Sequence, residues 1–418
     1  MPLRSFSYIA RAAVAALLSL PSSLALAADR PAKPDTELTV LPFAGGNSDV
    51  GWGGGYIASI ARVAPGYAPY LMRLESAGTV TFRPRSGDEK ELEIPYIDDY
   101  VLLEFPHAIA QRLRLQIRIS YTREQALKYY GLGNDSKIPD GMDPLDEAFA
   151  YEWQHPTLLF TNEYREAALR VSWGFSYVHN SFEIPEQGKL AEDLANGPER
   201  VRRALRGAET HGSPRLTAGV GLDTRDDEVS PSRGTYDTAR IDFSPGSLGG
   251  DTPGGATERW ERLNVSLRGY APLAGRRLVF AARVLGDFLF GAAPFYEMAR
   301  FDETYALGGV KGVRGVPGQR YYGKVKAFAN AELRSELFSF DLFGDERRFG
   351  LAAFADAGRV WADYREDPEL DGGGLGLKYG LGGGIRLMSG KSFVLRCDVA
   401  WSPDAHPIAG YLISGHPF

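Results

Sequence analysis

The chain of 418 residues contains one cysteine, Cys397, and five methionines, and its six histidines are scattered. A single cysteine excludes an internal disulfide and any metal site that needs several thiolates. The histidines show no paired metal-ligand spacing, and the sequence has neither a G-x-S-x-G nucleophile motif nor a phosphate-binding loop. We therefore predict that the protein is not an enzyme and has no catalytic residues, no metal, no cofactor and no nucleic-acid partner.

Long apolar runs are also lacking, and the one short run lies near the start of the chain. Arg4 and Arg11 accompany the apolar segment Ala12–Leu20, and Ala25-Leu26-Ala27 has the small residues of a cleavage site. This pattern predicts a secretory signal peptide over residues 1–27. No later segment approaches 18 uninterrupted apolar residues, which argues against transmembrane helices. The protein is therefore predicted to be exported.

Alternation of apolar and polar residues is what the sequence has in abundance. In residues 112–121 every second side chain is apolar, and the intervening ones are mostly arginine, glutamine or serine. The same pattern recurs in residues 169–178, 278–288 and 393–401. A period of two indicates a β-strand with one apolar face. Strands of about ten residues are long for a soluble sheet but have the length that crosses a tilted bilayer path.

Two β architectures fit this alternation, a membrane barrel and a soluble sandwich. The polar faces carry arginines and acids, as the wet interior of a barrel does, and several apolar faces end in aromatics, namely Tyr121, Tyr177 and Trp401. Together with export, these features favour an all-β transmembrane antiparallel barrel in the bacterial outer membrane.

The strand count and the domain limits follow from the same pattern. Fifteen strands can be placed between residues 54 and 418. Because single-chain bacterial barrels have an even number, we predict sixteen, with the missing strand within residues 124–153. The polar, proline-rich residues 28–46 are predicted to be a short periplasmic leader, and residues 47–418 to be the barrel.

One segment between two strands breaks the pattern. Residues 306–323, ALGGVKGVRGVPGQRYYG, contain six glycines and three basic residues around a central Val313-Arg314-Gly315. Glycine loses the most backbone entropy on ordering, so such a loop needs a partner that holds it. From the residues alone, Arg314 reads most simply as an exposed loop cation.

Five motifs resemble those of the BamA/TamA superfamily of outer-membrane barrels, the bacterial surface antigen family, and they follow one another along the chain as they do in that family. GVRGVPGQRYYG resembles its loop signature, and residues 330–334 and 354–358 (NAELR and FADAG) resemble two of its strands. Phe418 resembles its terminal aromatic residue, which the barrel assembly machinery recognises. A periplasmic turn of the DTRD…P…G type is matched by Asp223, Arg225, Asp226, Pro231 and Gly234.

The resemblance implies that the long loop folds into the lumen and that Arg314 pairs with acids of the wall. Alternation places Glu332 and Asp356 on the inward faces of their strands, so both are the expected partners. The competing interpretation pairs these acids with Arg334 or Arg386. Only residues 28–46 precede the first predicted strand, so we expect a short member without the periplasmic POTRA domains of its relatives.

The resemblance also implies a function in transport or insertion of proteins or other substrates at the outer membrane. A weak seam between the first and last strands would admit the substrate, and we expect Gly53, Gly54 and Gly55 to weaken it. The alternative is a passive pore or a structural surface antigen. The implied partners are outer-membrane lipid and lipopolysaccharide, the assembly machinery through the C-terminal strand, and possible contact with a separate periplasmic protein.

Overall fold

The computed structural model describes residues 35–64, 70–85, 88–109, 112–143, 146–248, 259–301, 304–305, 307–342, 345–389, 393–404 and 408–418. The predicted signal peptide, residues 1–27, lies outside the described residues, as do residues 28–34 of the predicted leader. The description below concerns the described residues alone.

Seventeen strand segments form one antiparallel sheet that closes on itself. They are β1 (Asp35–Asn47), β2 (Gly51–Val63), β3 (Met72–Arg85), β4 (Asp88–Phe105), β5 (Leu113–Lys128), β6 (Ala150–Gln154), β7 (Thr157–Glu166), β8 (Leu169–Glu183), β9 (His211–Asp223), β10 (Gly234–Ser244), β11 (Trp260–Pro272), β12 (Leu278–Gly291), β15 (Val325–Leu342), β16 (Asp345–Trp361), β17 (Lys378–Ser389), β18 (Phe393–Trp401) and β19 (Ala409–Ser414). The intervening β13 (Arg300–Phe301) and β14 (Thr304–Tyr305) form a separate small hairpin.

Segments β6 and β7 are two parts of one wall strand. Both pair with β5 on one side and with β8 on the other, and residues 155–156 interrupt them. The barrel therefore has sixteen strands, closed where β1 meets β19. The prediction of a sixteen-stranded all-β barrel is confirmed.

The predicted place of the sixteenth strand is wrong. The expected region, residues 124–153, overlaps two strand segments, residues 123–128 and 150–154. These segments extend β5 and the strand next to it and do not add a strand. The strand missing from the prediction is β1, which pairs with β2 from Asp35↔Val63 to Asn47↔Gly51. The boundary between leader and barrel at residue 46 is therefore corrected, because Asp35–Asn47 belongs to the wall.

The wall is apolar outside and polar inside. On β15, Leu333 is 41% exposed on the outer face, whereas the neighbouring Glu332 is 1% exposed. The same inversion occurs on β16, where Leu351 is exposed and Asp356 buried. An apolar exterior around buried charges is the arrangement that lipid requires of a barrel.

Long connections gather at one end of the barrel and close it. They include four short helices, α1 (Lys189–Asn196), α2 (Glu199–Ala204), α3 (Phe295–Met298) and α4 (Pro368–Asp371), and a 3-10 turn (Glu147–Phe149). An aromatic cluster packs these connections together, including Tyr129, Tyr151, Trp153, Phe295, Tyr296 and Tyr322. In outer-membrane barrels the long connections lie outside the cell, so we call this the external end. No helix in the described residues is both long and apolar enough to cross a membrane.

Candidate functional site in the barrel interior

The glycine-rich loop lies against the inner face of the wall. Its apolar side chains Leu307, Val313, Val316 and Tyr321 are fully buried, and they pack with Leu285, Phe328 and Val360 of β12, β15 and β16. This packing gives the loop the ordering partner that its glycines require. We refer to residues 307–323 as the interior loop.

Arg314, at the centre of the interior loop, is fully buried and held by three acids. Its Nε and Nη2 donate to the two carboxylate oxygens of Asp356 at 2.7 and 2.9 Å. Its Nη1 donates to Glu332 and lies 3.4 Å from Asp398 Oδ2. The bidentate contact with Asp356 uses the planar fork of the guanidinium, which lysine lacks. The two acids expected from the sequence thus both contact Arg314.

Further arginines share the same acids. Arg334 Nε donates to Glu332 at 2.7 Å, and Arg386 also reaches Glu332, at 3.5 Å. Arg386 and Arg396 both contact Asp398. The competing sequence interpretation, in which Arg334 or Arg386 pairs with these acids, therefore holds for Glu332 alongside its Arg314 contact, whereas the arginine that pairs with Asp356 is Arg314. A buried charge with several partners avoids the large cost of an isolated one.

Asp398 is the partner that sequence reasoning missed. Its place on the polar face of residues 393–401 was visible in the alternation, but no motif pointed to it. The Arg314 guanidinium also lies 3.5 Å from the centre of the Phe354 ring, which adds a cation–π contact.

Three glycines on β17 leave the space that the interior loop and the side chains around Arg314 occupy. A methyl group at Gly380 would overlap the carbonyl oxygen of Arg314. One at Gly382 would overlap the Phe354 ring, and one at Gly384 would overlap Asp398. Within the loop, Gly315 has a φ of +96°, a conformation that glycine adopts without strain.

The closing seam of the barrel is short. Strands β1 and β19 share two residue pairs, Gly46↔Leu412 and Asn47↔Tyr411, whereas β1 and β2 share thirteen. Next to the two pairs, the backbone N–H of Ser48 donates to Gly410 O at 3.1 Å. The expectation that Gly53, Gly54 and Gly55 lie in the seam is wrong, because they belong to β2. On one edge they pair with Thr81, Val80 and Thr79 of β3, in that order, and on the other edge they pair with β1.

The interior loop contacts both sides of this seam. On the β19 side, the backbone N–H of Gly315 donates to Tyr411 Oη at 2.9 Å. On the β1 side, the backbone of Gly318 lies against the carboxylate of Asp49 in the β1–β2 turn. Burial raises the pKa of Asp49 to about 6, although the Gly318 backbone and Arg83 oppose the shift. The loop therefore bridges the two strands where their own pairing is weakest.

The DTRD-type turn between β9 and β10 is a separate, polar structure. Arg225 donates to both oxygens of Asp223 at 2.9 Å, and Gly234 begins β10 with a φ of +97°. Asp226 accepts from the backbone of Ser232 at 2.8 Å and from its hydroxyl at 2.6 Å. Pro231 is buried beside it. The turn lies at the end with short connections, far along the strands from the external loops.

Phe418 is buried inside the barrel. Its ring packs with Tyr270 and Ala281, and the guanidinium groups of Arg283 and Arg334 each lie 5.0 Å from its centre. Its recognition by assembly machinery remains a prediction.

A closed sixteen-stranded barrel with a buried arginine loop defines the chain as an outer-membrane β-barrel. A family model for the Omp85 superfamily domain matches residues 84–408, and the chain belongs to the Omp85 superfamily. The predicted resemblance to BamA/TamA-type proteins is thereby confirmed. A search of curated protein sequences finds no match.

Two solved structures share the fold. BamA from Haemophilus ducreyi lacking POTRA domains 1–3 superposes with a TM-score of 0.57 at 15% identity, over 92% of this chain and 70% of that one. CdiB from Escherichia coli gives 0.51 at 13% identity, over 91% of this chain and 67% of its own. At such identities the likeness establishes the fold alone.

Proposed function

We propose that this barrel transports or inserts proteins or other substrates at the outer membrane, with the β1–β19 seam and the interior loop as its working parts. The observation that carries the proposal is the combination of a two-pair seam with a loop that contacts both sides of it. Membership of the Omp85 superfamily supports it.

The edge of β1 next to the seam offers a physical basis for substrate contact. From Glu37 to Gly45 this edge is not paired with the described strand β19, Ala409–Ser414. Unpaired backbone N–H and C=O groups of an edge strand are a template for another extended segment. In lipid, such groups are costly until a partner satisfies them. A substrate strand that adds to β1 would therefore be stabilised by its backbone alone, with little demand on its sequence.

The interior loop would control this edge. Release of Gly315 from Tyr411 and of Gly318 from Asp49 would remove the bridge across the seam. Because Arg314 is anchored to β15, β16 and β18, its contacts set how strongly the loop stays in place.

Planar-bilayer recordings test the proposal against a passive pore. We expect near-silent traces for the wild type and openings for Arg314→Ala, because the loop occupies the interior. A large steady conductance that Arg314→Ala leaves unchanged would contradict the proposal and favour the passive pore. The control is Arg112→Gln. Arg112 is exposed, lies far from the interior loop and pairs with Glu166 at an Nη1–Oε1 distance of 3.0 Å.

A seam lock tests the second working part. We would introduce Ser48→Cys and Gly410→Cys, whose residues already contact each other, into a Cys397→Ser background. Openings that depend on the seam should vanish on oxidation and return on reduction. Openings of equal size in both states would place the path elsewhere.

Several further assignments belong to the same proposal. We propose export by a cleaved signal peptide, residence among outer-membrane lipid and lipopolysaccharide, and recognition by the assembly machinery through the C-terminal strand with Phe418. A separate periplasmic protein is the proposed partner for substrate delivery. The proposed activity is not enzymatic.

A further inference from the structure

The external rim carries an open cavity of about 600 Å³ with a basic lining, which we call the rim cavity. Two of its lining residues are acidic, Glu199 and Asp363, and five are basic: Arg200, Arg203, Arg206, Arg259 and Lys324. Its floor is formed by small or apolar residues, among them Ala292 and Met298. Neither the interior loop nor the seam contributes to it.

Separate parts of the chain converge on the rim cavity. Arg200 and Arg203 belong to α2, whereas Arg259 directly precedes β11 and Lys324 directly precedes β15. Trp260 is buried and points inward, so the alternation along β11 turns Arg259 toward the outer surface. The cavity therefore opens at the outer edge of the barrel wall.

Aromatic side chains mark the membrane level directly below. Phe290, the penultimate residue of β12, stacks on Tyr364 with ring centres 5.1 Å apart, and both side chains are exposed on the outer surface. The Arg259 guanidinium lies 5.2 Å from the centre of the Phe243 ring. Aromatics in such positions lie at the headgroup level of a bilayer. The basic residues adjoin this aromatic pair, because Gly291 and Asp363, the chain neighbours of Phe290 and Tyr364, both line the rim cavity.

The local ion pairs of the cavity are weak competitors for a phosphate. Arg259 Nε contacts Glu261 at 2.6 Å, Lys324 Nζ contacts Asp363 at 3.0 Å, and Arg203 contacts Glu199 within α2. The side chains of Arg203 and Arg259 are 70% and 71% exposed. Solvent-exposed ion pairs contribute little net stability, whereas a phosphate accepts two parallel hydrogen bonds from each guanidinium.

We propose that the rim cavity binds the phosphorylated sugar headgroup of an outer-leaflet lipid. The phosphates contact Arg203 and Arg259, and the acyl chains descend along the Phe290–Tyr364 pair. This apolar path directly below the basic residues favours a lipid over a soluble anion or an acidic polypeptide. The inference rests on the outer-membrane placement of the barrel but not on the action of the interior loop.

Titration with lipid A tests the inference. The protein is purified, placed in nanodiscs of neutral phosphatidylcholine and titrated with lipid A, with dephosphorylated lipid A and with inorganic phosphate. We expect Arg203→Gln/Arg259→Gln to weaken lipid A binding at least ten-fold, and dephosphorylated lipid A to bind the wild type no better than it binds this variant. The Arg203→Lys/Arg259→Lys variant keeps the charge but loses the planar guanidinium. Its affinity for lipid A should lie between those of the wild type and the Arg203→Gln/Arg259→Gln variant.

Matched controls separate this inference from the proposed function. Arg112→Gln removes an arginine that is 54% exposed and carboxylate-paired at the opposite end of the wall, so it should bind lipid A like the wild type. Arg314→Ala should also retain lipid A binding, whatever its conductance. Heat-modifiable gel mobility verifies that each variant is folded.

Three outcomes would overturn the inference. Equal lipid A affinity of the wild type and the Arg203→Gln/Arg259→Gln variant would show that the cavity does not hold the headgroup. Inorganic phosphate that displaces lipid A at comparable concentration would assign the cavity to a soluble anion. Polyglutamate that binds more tightly than lipid A would assign it to an acidic polypeptide.

Discussion

The two edges of β1 differ sharply although they belong to the same thirteen residues. One edge is paired with β2 along the whole strand, from Asp35 to Asn47, and the other is paired with β19 at Gly46 and Asn47. The first edge is held by thirteen residue pairs of its own. The second is supported from inside by the interior loop. Stability at the seam therefore depends on side chains that lie far from it in sequence.

Among the variants considered, Arg314→Ala should change the difference in stability between the two edges of β1 most. It removes the shared partner of Asp356, Glu332 and Asp398 and leaves buried carboxylates with less compensation. Breaking a buried ion pair in this way costs about 3–5 kcal/mol. Hydrogen exchange should accelerate at Gly46 and Asn47 but not at Ile57–Ser59 on the β2 side. Equal acceleration at both places would mean that the loop supports the barrel generally rather than the seam.

A charge swap sharpens the same test. Arg314→Asp and Asp356→Arg alone should each destabilise the barrel, because each places like charges within contact distance. The double variant should recover part of the loss, measured as the temperature at which the folded gel band disappears. A double variant no more stable than either single one would show that direct pairing of these two residues contributes little.

Asp49 makes the β1 side of the bridge sensitive to pH. Its pKa in the folded protein is raised by burial from 3.8 to about 6, so the folded state binds more protons than the unfolded chain between these values. Stability contributed by this residue therefore falls as the pH rises from about 4 to 6, by roughly 3 kcal/mol at most. Asp49→Asn should flatten the dependence of seam hydrogen exchange on pH over this range. An unchanged profile would assign the dependence to another group.

Tyr411→Phe should have the smallest of these effects. It removes the hydroxyl that accepts from the Gly315 N–H and leaves a buried donor without that partner. Such a loss costs about 1–3 kcal/mol. Brief openings in planar-bilayer recordings should become more frequent. Tyr379→Phe, on the exposed face of β17, removes a hydroxyl outside the bridge and should leave the traces unchanged.

Sequence periodicity predicted most of the wall because lipid imposes a period of two on every strand. It failed at β1, where Pro42 and the glycines at 45 and 46 obscure the short alternation around Leu38 and Val40. It also failed at residues 123–128 and 150–154, which continue neighbouring strands and so carry no complete pattern of their own.

The interior site was predictable only in part. Motif and alternation together indicated Arg314, Glu332 and Asp356, whereas Asp398 and Tyr411 required the order of strands around the barrel. The contact between Asp49 and Gly318 depends on closure of the barrel, and no local pattern encodes it. The aromatic cluster at the external end likewise joins residues from connections that are distant in sequence.

The distribution of the Arg314 contacts along the chain has a consequence for folding order. Arg314 and its partners Glu332, Asp356 and Asp398 are 18, 42 and 84 residues apart, whereas the Ser48–Gly410 contact at the seam joins residues 362 apart. Closing a longer chain segment costs more entropy and is slower. The C-terminal third can therefore assemble around its arginine as an open, curved sheet. We expect closure to a barrel to follow as the last event of folding.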